Sequence, residues 1–256
     1  MARTQHQAWH GKLIVAPGLA LFRGDAGDNR LHQHWVHQCI VSHTAFEVHL
    51  EEGSLRTQAA LIKSQTMHQV VGKQLSSLFV DPTHVLAKAL QQEFGEQKPT
   101  QEDRSQLARR LKNIFDTVVI QDAQSLQQAD YTTSALTTQL QNLLGVEVQH
   151  DHSQDRYLHA LHYIRSEIEH GDLSLSQLAR HFHLSESRFS HWFKQQSGIA
   201  LRSYIKWQRL IAAVDALQSG LSFVEAANQA GFTDQAHFNK TFVAHFGIVP
   251  SQFLMT

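Results

Sequence analysis

Two stretches decide the fold: Ser174–Tyr204, SLSQLARHFHLSESRFSHWFKQQSGIALRSY, and Ser222–Phe253, SFVEAANQAGFTDQAHFNKTFVAHFGIVPSQF. They are copies of one pattern. Each opens on a serine with Gln177 or Glu225 three residues later, a spacing that lets side chain and backbone cap each other at a helix start. Ala179 and Ala227 follow, small enough for a second helix to cross closely. Four residues further on stand His183 and Gly231, where a tight turn requires a left-handed backbone that suits glycine and is only tolerated by histidine. A second helix is predicted after Ser185 in one copy and after Thr233 or Asp234 in the other, residue types that cap helices. Its inner stripe is Phe189, Trp192 and Phe193, or Phe238, Thr241 and Phe242, at helical spacing. Both copies close alike, on Gly198-Ile199 with Tyr204 and on Gly247-Ile248 with Phe253, the second being one residue longer. Two short helices joined by a tight turn, twice, make two helix-turn-helix units, at about 174–196 and 222–245.

Leu201–Gln218 lies between the copies and reads as one helix through Tyr204, Ile205, Leu210, Ile211, Val214 and Leu217. Eighteen residues at 1.5 Å each span roughly 27 Å. Successive major grooves on one face of DNA lie about 34 Å apart, so such a helix can set two recognition helices into adjacent grooves. The net charge of −1 argues against a nucleic-acid binder, but its distribution does not. Between Leu173 and Leu210 the basic residues are Arg180, Arg188, Lys194, Arg202, Lys206 and Arg209, against the single acid Glu186. Protonation of a few of the 19 histidines near neutral pH would add to that excess.

The run Ala230-Gly231-Phe232-Thr233-Asp234-Gln235-Ala236-His237-Phe238, continuing through Lys240, Phe242, Phe246, Gly247 and Pro250, resembles the AraC/XylS family of transcription regulators. In the first unit Leu178-Ala179, Leu184-Ser185, Phe193-Lys194 and Gly198 match as well, and the resemblance extends from Asp155 to Phe253. It implies that Ser187, Ser190, His191 and Lys194 of one recognition helix, and Gln235, Ala236, His237 and Lys240 of the other, meet base edges. His191 departs from the family's frequent arginine. Arg188, Arg202, Lys206 and Arg209 are then expected at phosphates or in structural contacts, and Phe189, Trp192, Phe193, Phe232, Phe238, Phe242 and Phe246 in the core.

The first 150 residues carry short apolar runs, Leu19–Phe22, Cys39–Val41, Ala45–Leu50, Ala59–Ile62, Val70–Val71 and Leu78–Val80, with turn-forming residues between them. That spacing predicts a small antiparallel barrel or sandwich. The segment around Gly27–His34, with His37, His43, His49 and His68 downstream, is similar to the cupin-type barrel that such regulators carry as an effector domain. In metal-binding cupins two histidines one residue apart, a glutamate four residues on and a distant histidine hold one ion. His32, His34 and His68 fit three of those places, but Gln38 stands at the fourth without the charge to balance a cation. His32, His34, Trp35 and His68 are therefore expected to line a ligand pocket, with no metal and no cofactor. Helices are predicted to trail the barrel over 82–94, 101–115 and 122–144, the last a candidate for pairing two protomers, followed by a linker at 145–153.

The expected fold thus has two domains: residues 1–150, a cupin-like antiparallel β barrel with trailing helices, and residues 151–256, an all-α double helix-turn-helix domain. The single Cys39 has no partner for an internal disulfide, which fits a reducing cytoplasm, and no apolar run is long enough to span a membrane. The expected function is a non-enzymatic, sequence-specific transcription regulator, by family analogy an activator. Its expected partners are double-stranded DNA, RNA polymerase, a small-molecule effector and a second copy of the chain. Two alternatives stand beside it: a metal-binding cupin, sensor or enzyme, joined to a DNA-binding half, and a regulator with no small ligand.

Overall fold

In the computed structural model, the described residues are 10–87 apart from 17, 28, 29 and 85, then 155–169, then 173–251 apart from 248. They divide into two compact units, the strands with the end of the chain from Ala244, and the helices up to Val243.

Strands β1 (His10–Ala16), β2 (Leu19–Ala26), β3 (His37–Leu50), β4 (Gly53–Ile62) and β5 (His68–Val80) form one antiparallel sheet in the order β1-β2-β5-β3-β4. Two pairs of apolar runs that read as separate strands are single long ones. The register of β3 against β4 and β5 shifts after Val41 and resumes at Phe46 and Glu47, and within β5 Gln74 adopts φ +51°. Such a bulge breaks the two-residue alternation by which a strand is recognised. Ser42 secures it by donating to the Lys73 carbonyl at 3.0 Å. The expected closed, cupin-like barrel is not found: β1 and β4 each pair with one strand, so the described sheet is open. Strand β1, unanticipated from the sequence, forms one of its edges.

Ala26, Ile40, Phe46, Val48, Ala60, Ile62, Val70 and Leu75 make the core on one face of the sheet. On the opposite pleat Cys39 and Leu78 face each other across β3 and β5 and are fully buried. Of the trailing helices only residues up to 87 are described, with Leu86 and Ala87 buried. The rest, and the linker at 145–153, lie outside the described residues.

The second unit holds α1 (Asp155–Glu169), α2 (Leu175–His181), α3 (Glu186–Ser197), α4 (Leu201–Gln218), α5 (Phe223–Gln229) and most of α6 (Gln235–Phe246). Both anticipated capping boxes are formed, Ser174 with Gln177 and Ser222 with Glu225. The two turns take the anticipated left-handed backbone, φ +56° at His183 and +76° at Gly231. Ser185 caps α3 by accepting from the Arg188 N–H. Asp234 does the same for α6, accepting from the His237 N–H at 2.7 Å. Around the first unit the core is Tyr157, Ala160, Leu161, Ile164 and Ile168 of α1 against Leu178, Ala179, Phe182, Phe189, Phe193, Leu201 and Tyr204. Each of these large side chains contributes about 1.5–3 kcal/mol on burial, so tertiary packing rather than propensity holds helices as short as α2.

Helix α1 supplies a further brace. Arg156 donates from Nη2 to the carbonyl of Phe182, at the end of α2, at 2.7 Å. Its guanidinium also lies 5.3 Å from the centre of the Trp192 ring on α3. One cation thus satisfies an orphaned helix-end carbonyl and stacks on the neighbouring helix.

Candidate DNA interface and a buried histidine cluster

On α3, the side chains of Ser187, Arg188, His191 and Lys194 are exposed and Ser190 is half-buried. The inner positions Phe189 and Phe193 are fully buried. Helix α6 repeats the arrangement, with Ala236, His237 and Lys240 exposed, Gln235 half-buried, and Phe238 and Phe242 at zero exposure. Burial of the aromatic stripe fixes each helix about its own axis, which leaves the polar residues on one outward face. His237 is further oriented by Thr233, whose hydroxyl lies 3.3 Å from Nδ1, and by edge-on contact with Phe232.

Helix α4 has the anticipated eighteen residues and contacts α1, α3 and α5. Its Arg202 and Lys206 are exposed and lie one turn apart. Arg209 is different. It is half-buried, and burial lowers its pKa. Its guanidinium covers the Gly231 turn, where a Cβ on Gly231 would sit 3.2 Å from Nε. Arg209 has a packing role at that turn beside whatever it offers to a phosphate.

The sheet unit brings together three of the four pocket residues expected from the sequence. His32 pairs with His68 in an isolated antiparallel bridge, each backbone N–H donating to the other's carbonyl at 3.0 and 2.9 Å. The Gln65 N–H donates to the His34 carbonyl at 2.8 Å, and Ser64 Oγ donates to the Trp35 carbonyl at 2.7 Å. These bonds hold the 32–35 segment against the start of β5. The imidazoles of His32, His34 and His68 are buried, with ring centroids 4.5 to 5.9 Å apart. Trp35 is half-buried.

Each ring has its Nδ1 2.8 Å from a backbone carbonyl: His32 from Arg30, His34 from Val36 and His68 from Thr66. A carbonyl only accepts, so Nδ1 carries the proton and Nε2 a lone pair in each neutral ring. Neutrality follows from the surroundings. Burial, then the charge that His68 would carry, lowers the pKa of His32 to about 4. The same two causes, followed by His32, hold His34 well below its usual value, and burial lowers His68. Gln38 lies between them, its side-chain amide 3.0 Å from His34 Nε2, 3.2 Å from His68 Nε2 and 3.4 Å from Ser77 Oγ. Two unprotonated nitrogens need donors, so the amide must present its NH2 to both rings and its oxygen to the Ser77 hydroxyl. The two orientations of an amide have the same shape, and this one leaves no pair of acceptors facing. Ser77 and the Arg156 brace were not legible as functional positions, since each acquires its role only through a partner distant in sequence.

Residues 178–256 match the family described as a helix-turn-helix domain. The chain is 32% identical over 108 residues to the arabinose operon regulatory protein of Escherichia coli, covering 42% of this chain and 37% of that protein. It is 29% identical over 144 residues to the regulatory protein PocR of Salmonella typhimurium, covering 56% of this chain and 43% of that protein. The chain thus spans about two fifths of the length of these curated relatives. Among solved structures, an apo ToxT variant from Vibrio cholerae aligns over 99% of both chains with a TM-score of 0.49 at 11% identity. By its capped repeats and its family match, the helical unit is a double helix-turn-helix domain of the kind found in gene regulators. In this region the chain is similar to the AraC/XylS transcription regulators.

Proposed function

We propose that the chain is a sequence-specific transcription regulator whose α3 and α6 enter two successive major grooves of one DNA site. The observation that supports this best is the pair of capped helix-turn-helix units joined by an eighteen-residue helix. In this reading Ser187, Ser190, His191 and Lys194 on α3, with Gln235, Ala236, His237 and Lys240 on α6, meet base edges. Arg188, Arg202 and Lys206 neutralise phosphates, joined by Arg209 to the extent that its packing allows. Glutamine reads adenine by two hydrogen bonds and lysine reaches guanine acceptors. The sheet unit is the sensing half, and a ligand there acts by binding one arrangement of the protein more tightly than another. Activation through RNA polymerase, action as a homodimer in the cytoplasm, and the absence of catalysis belong to the same reading. The test is genome-wide mapping of bound DNA in native cells. A few sharp sites sharing two boxes about one helical turn apart support it; diffuse binding with and without candidate effectors overturns it. A second reading, a metal-responsive sensing half, is favoured by the histidine cluster.

A further inference from the structure

We infer that His32, His34 and His68 form a binding site for one divalent transition-metal ion, with the Gln38 amide as a reversible plug at its fourth side. One ring nitrogen from each histidine lies within 4.8 Å of the others, and all three residues are buried. The Nδ1–H of each ring is held by a backbone carbonyl, the outer-shell arrangement that fixes the tautomer of metal-bound histidine and aims Nε2 at the ion. Tetrahedral ligation at 2.0–2.1 Å requires nitrogens roughly 3.4 Å apart, within reach of small side-chain rotations.

Two of the three clustered histidines, His34 and His68, already converge on one amide through Nε2. In the metal-free protein the Gln38 NH2 satisfies the lone pairs of His34 and His68. When an ion takes those lone pairs, rotating the amide by half a turn brings its oxygen to the metal, and Ser77 Oγ can then accept from the NH2. The pocket alongside, bounded by His32, Gln38, Ser77 and Phe79, holds about one water-sized sphere. That volume suits a single water-sized species rather than a sugar or an acyl chain. With only imidazole and amide donors, the site favours zinc, copper, nickel or cobalt over magnesium or calcium. The set carries no negative charge, so the bound ion keeps its full double charge.

This goes beyond the DNA-binding reading and is tested without DNA. Metal-stripped full-length chain is titrated with Co2+ and with Zn2+, and the cobalt absorption in the visible is followed. One saturable equivalent with the intense bands of low-coordinate cobalt is expected. His34→Asn and His68→Asn should each weaken binding about 100-fold or more, beyond the 10- to 100-fold of a lost outer-shell partner. Gln38→Glu should tighten it about tenfold by adding charge, and His43→Ala, at an exposed histidine, should change nothing. Equal affinity across all these variants would place the metal on surface histidines and overturn the proposal. Should the asparagine variants fail to fold, X-ray absorption on the zinc-loaded wild type decides it. Three imidazoles at the metal support the site and fewer refute it.

Discussion

His34 and His68, thirty-four positions apart in the chain, share one side-chain hydrogen-bond partner, the amide of Gln38, at 3.0 and 3.2 Å. Removing that amide strands two buried lone pairs at once. Gln38→Leu should therefore destabilise the metal-free sheet unit by about 1–3 kcal/mol for each stranded nitrogen. Urea unfolding followed by a probe in the sheet reads the loss; a cost below about 0.5 kcal/mol would mean the amide satisfies neither ring.

The paired turns make opposite predictions. His183 holds φ +56° with a side chain, whereas Gly231 holds +76° without one. His183→Gly should relieve strain and stabilise the helical unit by roughly 0.5–1 kcal/mol. Gly231→Ala should cost about 1–2 kcal/mol from backbone strain, with crowding of Arg209 added. Thermal unfolding of the two variants should shift in opposite directions, and shifts of the same sign would contradict the turn geometry.

Arg156 offers a test of the brace between α1, α2 and α3. Arg156→Ala should cost about 1 kcal/mol, since the hydrogen bond to Phe182 is charge-assisted but the side chain is exposed. Arg156→Lys should recover only part, because an ammonium cannot both stack flat on Trp192 and reach that carbonyl. Full rescue by lysine would reduce the contact to charge alone. Tryptophan fluorescence during unfolding follows it.

Burial pushes the Cys39 thiol up to about 12. A folded pKa above the unfolded value of about 8.5 means that stability from the buried, protonated thiol is fully present below pH 8.5 and is lost as pH rises toward 12. At pH 8 the folded chain should resist a thiol reagent, and labelling should track the denaturant-induced opening of the sheet. Rapid labelling of native protein would show that β3 opens far more readily than its core position allows.

At the DNA interface, loss of operator binding is expected for the Gln235→Ala, Lys240→Ala double variant. Arg202→Ala and Lys206→Ala should weaken all sequences alike and each lower the salt slope by about one. Fluorescence anisotropy on a mapped site separates the two patterns. Unchanged affinity of the double variant at physiological salt would sink the assigned face of α6.

The helical unit was almost fully legible in the sequence because its signals are local. A capping box needs four residues, a left-handed turn one, and a buried stripe a single helix, and the repeat states each of them twice. The sheet was less so. The bulge beyond Val41 split β3 into two apparent runs, β1 has no alternation to mark it, and barrel closure is a matter of pairing between distant strands. His32, His34 and His68 were visible as a group, yet their tethers to Arg30, Val36 and Thr66 are backbone contacts that no residue type announces. Gln38 looked like a defect in a ligand set, and only its distances to two rings and Ser77 give it a part to play.

Helix α4 sets more than a distance between the two helix-turn-helix motifs that it joins. Every residue added to an α-helix turns the downstream chain by about 100° and advances it by 1.5 Å. Inserting one residue near the middle of α4 would swing α6 out of phase with α3 and present its buried stripe toward DNA, although the length would scarcely change. Inserting four would nearly restore the phase and overshoot by about 6 Å. The helix therefore acts as an angular gauge, and evolutionary drift in its length is expected to proceed by whole turns if at all, while the loops on either side remain free to vary.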